Sequence, residues 1–148
     1  LFAQAIRNNL SGRDATDASN LGKSGVEELL KIPYENLTVP VGATWGCTAE
    51  YRPLGATTWT AATAPTPPTP CTTDNVTVAS GDALWIRTIQ VRQFSLEDLQ
   101  NTGTASPLPG GAAAGLVHLK EIAVEVRNVS ANPLSSGKTL TLRMLRAV

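Results

Sequence analysis

GVEELLKIPYENL, residues 25–37, sets a run of helix-forming residues directly against a proline and a tyrosine. Glu, Leu and Lys lose little rotamer freedom in a helix. The residue before a proline is pushed out of the α region, so a helix is predicted to stop at Ile32, with Pro33 and Tyr34 as the stop signal. Upstream, Ala15, Ala18, Gly22, Gly25, Leu29 and Ile32 fall at steps of three and four and draw one stripe along that helix. Its small residues allow close approach of a sheet, and Leu29 and Ile32 supply apolar area. These six positions are the expected helix–sheet contacts. Phe2, Ile6 and Leu10 continue a helical period at the start of the chain, while SGRDATDASN, with Gly12 and several Asx and Ser/Thr residues, weakens it in between.

Beyond Leu37 the period changes. TVPVGATWGCTAEYRPLGATTWTA offers two strands, around 44–52 and 57–62, with PLGA as the turn. APTPPTP, 64–70, reads as a loop with polyproline character. NVTVAS and ALWIRTIQVRQF supply further strands; in the second the alternation is imperfect, with Trp85 opposite Leu84, Ile86 and Thr88. SLED, 95–98, fits a cap followed by acidic first-turn residues, enough for one short helical turn. In the last third, His118, Lys120, Ile122, Val124 and Val126 share one parity, and Glu121, Glu125 and Arg127 take the other. SANPLSSG is a turn, and KTLTLRMLRAV then alternates Leu140, Leu142 and Met144 against Thr139, Thr141 and Arg143. The pattern is that of a closing antiparallel hairpin.

The chain has 148 residues, enough for one domain with a sizeable core. Charged residues make up 16 %, and Lys plus Arg and Asp plus Glu are both 12, so the formal net charge is zero. No nucleic acid is expected as a partner of so balanced a chain. The first residue is Leu, which leads to the expectation that a longer or processed product lies upstream; LFAQAI lacks the basic region and length of a signal sequence. No apolar run in the chain reaches the ~18 residues of a membrane-spanning helix.

Cys47 and Cys71 are the only cysteines, and His118 the only histidine, too few for a four-ligand zinc site. Two readings remain for the cysteines: unpaired buried thiols, or a disulfide that closes the proline-rich loop. The disulfide is expected, since the loop has little power to fold alone, and with it an oxidising compartment.

No arrangement for catalysis stands out, and no enzyme activity, cofactor or metal is expected. His118 lacks a spaced partner. Glu27–Glu28 and Glu97–Asp98 are neighbours in sequence and so do not share a helix face, as paired acid and base would have to. SSGKT, 135–139, lacks the first glycine of a phosphate loop, Asn132 standing in its place, and it lies between strands. Asn36, Asn75 and Asn128 open glycosylation triplets of the kind that arise often by chance. Trp45, Trp59 and Trp85, with Tyr51, form either a carbohydrate platform or core packing; packing is expected.

SNLGKSGVEELLKIPYENL resembles the distal helix of type IV pilin-like proteins, and more narrowly minor pilins of the PilV kind and the minor pseudopilins of type II secretion. There, small residues lead into an acidic-leucine segment and a Leu-Pro-Tyr-like step; here that step is Ile32, Pro33, Tyr34. LKEIAVEVRN and GKTLTLRMLRAV resemble their closing hairpin. Residues 38–115 carry no such resemblance. The likeness implies an α+β, pilin-like fold: an N-terminal helix, its distal part in 1–33, packed on an antiparallel β-sheet within a β-rich head, 38–148, all in one domain. It also implies an apolar half-helix upstream, cleaved and methylated, whose signature this sequence does not contain.

The function expected on this basis is that of a structural minor pilin or pseudopilin in the initiation or tip assembly of a pilus-like fibre. Its partners are then other minor pilins or pseudopilins, the major pilin and a tip adhesin, with contact through Glu27, Glu28 and Lys31 on a helix flank facing away from the sheet. Its place is the inner membrane and periplasm before assembly and the cell surface after it. The alternative is a secreted β-rich binding or adhesion module presenting loops 64–70 and 99–115; EYRPLGATTWTA resembles a strand pair of fibronectin type III modules.

Overall fold

The closing alternation forms one side of the sheet, with the strand at ALWIRTIQVRQF at its centre. A computed structural model describes residues 16, 17, 20, 23, 27, 28, 31, 33–53, 55–79, 83–103, 105–129 and 139–147. Five strands, β1 (Gly46–Pro53), β2 (Thr60–Ala62), β3 (Ala83–Phe94), β4 (Leu119–Asn128) and β5 (Thr139–Ala147), make one sheet in the order β2-β1-β3-β4-β5. All neighbours are antiparallel. The register puts Glu50 opposite Arg87, Arg87 opposite Val126 and Val126 opposite Leu140, which fixes one face of the sheet across four strands. On that face Trp85, Ile89, Val91, Ile122, Val124 and Val126 form the buried core, with Leu37 and Val39 laid over them. Trp59, Leu140 and Met144 pack at its margins.

The helix lies over the same face. Thr16, Asp17, Asn20, Lys23, Glu27 and Glu28 are helical and exposed. Asp17 and Asn20 border a cleft with Arg52, Leu84 and Trp85, while Lys23 and Glu27 border one with Leu142 and Met144. Glu28 reaches Arg87 on β3. The domain is therefore α+β, a helix packed on an antiparallel sheet. Ala15, Ala18, Gly22, Gly25, Leu29 and Ile32 lie outside the described residues. At the end of the helix Lys31 is a turn residue, its N–H donating to the Glu28 carbonyl at 3.3 Å. Pro33 then opens a single 3-10 turn, Tyr34–Asn36.

The opposite face is covered by the disulfide-closed segment. Cys47 on β1 bonds to Cys71. Thr63 and Thr77 bridge by N–H···O bonds of 3.0 and 3.2 Å, which closes the base of the excursion. Thr73, fully buried in the 3-10 turn Thr73–Asn75, donates through its N–H and hydroxyl to Glu125 Oε1 at 2.8 and 2.7 Å. Arg127 donates to the Thr73 carbonyl at 3.1 Å and pairs with Asp74 at 3.2 Å. Beneath lie Ala49, Ile86, Thr88 and Ala123.

This second cover explains the imperfect alternation in β3. Every residue from Trp85 to Ile89 is buried, because the helix covers one parity and the disulfide loop the other. Trp85 does stand opposite Ile86 and Thr88. The expected strand at NVTVAS is corrected: among the described residues of 75–79 only Thr77 makes a bridge. Asn75 spends its amide on Pro70 and Thr72, at 3.0 Å each, and so builds a turn rather than a ladder. The connection after β3 is more ordered than a loop. Leu96–Thr102 is a short helix, and the Ser95 hydroxyl accepts from the Glu97 N–H at 3.2 Å. Gln93 bridges Leu108, and Gly110 exchanges backbone bonds with Gly42 and Ala43.

Candidate functional site

Two cations stand where an alternating strand calls for apolar residues, and both serve the junction between helix and sheet. Arg87 is 1 % exposed. Its Nε donates to Glu50 Oε2 at 2.9 Å, and its Nη2 donates to the same oxygen and, at 3.3 Å, to Glu28 Oε2. The guanidinium lies over the Trp59 ring, 4.3 Å from its centre. A guanidinium suits this position because its flat face stacks on an indole while its edge holds carboxylates. Glu50 is 26 % exposed and Glu28 55 %, so the pair within the sheet is the drier of the two. Nη1 of Arg87 has no hydrogen-bond partner among the described residues. Arg87, Glu50 and Glu28 wall a cleft of about 270 Å3 with Asn36, Thr38 and Thr48.

Lys120, on β4, holds the turn that ends the helix. Its Nζ donates to the carbonyls of Tyr34 at 2.8 Å and Leu37 at 2.6 Å, and it lies 4.3 Å from the centre of the Tyr34 ring. The proline-tyrosine step thus has a physical role. Pro33 opens the 3-10 turn that follows the helix, and a buried ammonium satisfies the carbonyls of Tyr34 and of Leu37 just after that turn. The Tyr34 hydroxyl is itself buried and without a hydrogen-bond partner among the described residues. Burial holds its pKa above the ordinary phenol value, and the charge of Arg146 opposes this.

Of the residues expected to matter, Cys47 and Cys71 come together as a disulfide. Glu27 and Lys31 are exposed. The expectation that Glu28 faces away from the sheet is corrected, since its carboxylate is drawn to Arg87. Trp59 and Trp85 belong to the core face, and Trp45 is half-buried, so the three do not form an open platform. His118 Nδ1 accepts from the Leu96 N–H at 3.2 Å, an ordinary role in anchoring a short helix. Asn128 is buried, whereas Asn36 is exposed. Residues 135–138 of SSGKT lie outside the described residues, and Thr139 opens β5. Among the described residues no group of three or more His, Cys, Asp or Glu side chains converges on a possible metal position. No helix among them is long and apolar enough to cross a membrane.

Sequence reading passed over Arg87, Glu50 and Thr73, placed Glu125 on the solvent-side parity of its strand, and placed Lys120 on the core parity without a role. The signal was a charged residue at a core position of a strand, which a folded chain keeps only with partners.

No protein-family model, no curated protein and no solved structure matches the chain.

Proposed function

We propose that the chain is a structural subunit of a type IV pilus-like fibre, a minor pilin or pseudopilin acting in initiation or tip assembly. The observation that carries the reading is the helix laid on an antiparallel sheet, with the turn that follows it, Tyr34–Asn36, bonded to β4 through Lys120. A fibre subunit must transmit load between a helix in the fibre and a head at its surface. Arg87 and Lys120 tie those two parts at separate points. The resemblance at both ends of the chain adds to this, and so does the disulfide, which suits a periplasmic and then extracellular position.

On this reading an apolar half-helix upstream anchors the protein in the inner membrane before assembly. The partners are other minor pilins or pseudopilins, the major pilin and a tip adhesin. Glu27 and Lys31 are the accessible charges of the helix flank, and they carry the partner contact. The chemistry is that of assembly; the reading assigns no reaction.

The reading of a binding module keeps one observation in its favour. Thr66–Pro70 are all exposed on an excursion pinned at Cys71 and Thr73, a fixed surface for a ligand. Loop 99–115 offers less, because much of it is a helix or is paired with Gly42, Ala43 and Gln93.

Deletion of the gene, with surface fibres counted and secretion assayed, tests the proposal together with a pull-down against the minor pilins encoded nearby. Loss of fibres or of secretion, and retention of a companion pilin, is expected. Normal fibres and secretion with no pilin retained overturn the proposal and favour the binding module.

A further inference from the structure

On the helix side of the sheet, the apolar rows of β3 and β4 end in a polar pair. Gln93 and Lys120 stand opposite each other in register, and both are buried, at 6 % exposure each. They continue the parity of Ile89, Val91, Ile122 and Val124 beyond the core. A glutamine so deeply placed calls for hydrogen-bond partners at both ends of its amide.

Gln93 has a partner at one end only. Its Nε2 donates to the Pro109 carbonyl at 2.7 Å, and since a carbonyl can only accept, this fixes which end of the amide is the oxygen. Among the described residues no donor meets Oε1. The polar side-chain atoms there that are both sealed from solvent and unpartnered are Tyr34 Oη, Arg87 Nη1 and Arg127 Nε. Gln93 Oε1 is not one of them, so it opens onto free space. Gln93 lines an open cleft of about 430 Å3 together with Lys120, Tyr34 and the apolar Leu37, Val39 and Val117. Small-molecule sites span about 300–1,000 Å3 and combine apolar walls with a few placed polar groups.

We propose that this cleft binds a small, neutral, largely apolar molecule with one N–H or O–H donor, which it gives to Gln93 Oε1. Leu37, Val39 and Val117 cover the apolar body. A cationic ligand is disfavoured because its charge would lie beside the Lys120 ammonium. An anionic one is disfavoured because its oxygens would face an acceptor at Gln93, while the ammonium is turned to the carbonyls of Tyr34 and Leu37. This inference stands whether or not the protein is a fibre subunit.

Indole and benzofuran share a shape, but indole has an N–H where benzofuran has an oxygen. Each is titrated into the 15N-labelled protein and followed by NMR. Indole is expected to shift the Gln93 side-chain amide and the backbone amides of Val39, Ala112 and Val117, with a Kd of about 1 mM or tighter. Benzofuran should bind at least about fivefold more weakly. Tryptamine and indole-3-acetate add a positive and a negative charge, and neither should bind more tightly than indole. Gln93→Leu removes the acceptor and should bring indole and benzofuran to within about twofold of each other. That variant also loses the bond to Pro109, so a second one leaves Gln93 in place. Ala114 is exposed and lines the cleft, and Ala114→Phe should fill it and abolish the response to indole without changing the rest of the spectrum. Equal binding of indole and benzofuran, tighter binding of either charged analogue, or shifts away from the cleft overturns the proposal. So does a preference for indole that survives Gln93→Leu, indole binding unaltered by Ala114→Phe, or no response up to about 10 mM.

Discussion

Lys120 Nζ donates to the Leu37 carbonyl at 2.6 Å, across 83 residues of chain, and so fastens the turn after the helix to the start of β4. The same ammonium serves the Tyr34 carbonyl. Lys120→Met keeps the apolar stem and removes the donor, leaving two inward carbonyls unsatisfied. A loss of about 1–3 kcal/mol in urea unfolding is expected. An unchanged midpoint would show that water replaces the ammonium and that the turn does not depend on it.

Arg87 gives a prediction of rank. Removing one partner of a buried ion pair leaves the other charge buried, which costs about 3–5 kcal/mol in dry sites. Glu50 reaches some solvent, so Glu50→Ala should fall at or below the lower end of that range. Glu28 is more than half exposed, and an ion pair so screened is worth about 1 kcal/mol or less. Glu28→Ala should therefore cost much less than Glu50→Ala. Equal losses in denaturant titrations would show that the helix anchors Arg87 as strongly as the sheet does.

Much of the architecture could be read from periodicity, and the places where reading failed have physical causes. β5 has a half-buried face and an exposed one, and the loop over the far face of β4 meets polar Glu125 and Arg127, so polar and apolar residues alternate and the hairpin is plain. β3 is covered on both faces, which erases that alternation between Trp85 and Ile89. NVTVAS has strand-like composition, but the Asn75 amide bonds backward to Pro70 and Thr72 and commits the segment to a turn. The helix–sheet junction was hidden for another reason. Arg87, Glu50 and Glu28 are far apart in sequence, and only the register of β1 on β3 brings the first two together. The pairing of Cys47 with Cys71 could be read because both candidates were single.

The disulfide closes a segment with a sequence separation of 24 and pins the loop whose Thr73 and Asp74 meet Glu125 and Arg127. Replacing both cysteines with serine should cost roughly 3–4 kcal/mol from the entropy regained by the unfolded chain. Urea unfolding of the variant, beside the wild type with and without reductant, checks this. A reduced wild type as stable as the oxidised form would mean that the Thr73–Glu125 bonds alone retain the loop.

Gly110 sits where two backbone segments meet. A Cβ there would come within 2.0 Å of the Pro40 carbonyl oxygen and 2.2 Å of that of Val39. Both obstacles are backbone, so no side chain can swing aside. Gly110→Ala should force apart the 39–43 and 108–110 segments, which Gly110 joins by bonds with Gly42 and Ala43. Overpacking of this kind costs about 1–3 kcal/mol and sometimes more. Gly103→Ser, with no atom within 4 Å of its Cβ but a φ of +70°, separates steric contact from backbone preference. A Gly110→Ala loss no larger than that of Gly103→Ser would leave no separate cost for the close approach.

Tyr34 links the same junction to pH. Burial disfavours its phenolate, and Arg146 only partly offsets this, so the folded pKa lies above the ordinary 10.0. As pH rises past that value, the unfolded tyrosine loses its proton before the folded one does. The unfolded state then binds fewer protons, and stability falls with pH. The contribution is fully present below the unfolded pKa and is lost as pH climbs through the folded one. Tyr34→Phe removes the titration along with a buried hydroxyl that has no partner among the described residues, and should be neutral or mildly stabilising near neutrality. Its advantage over the wild type should grow between roughly pH 9 and pH 11. Thermal midpoints of the two across that window decide the matter, and a constant difference would mean that the Tyr34 phenol ionises alike in the folded and unfolded chains.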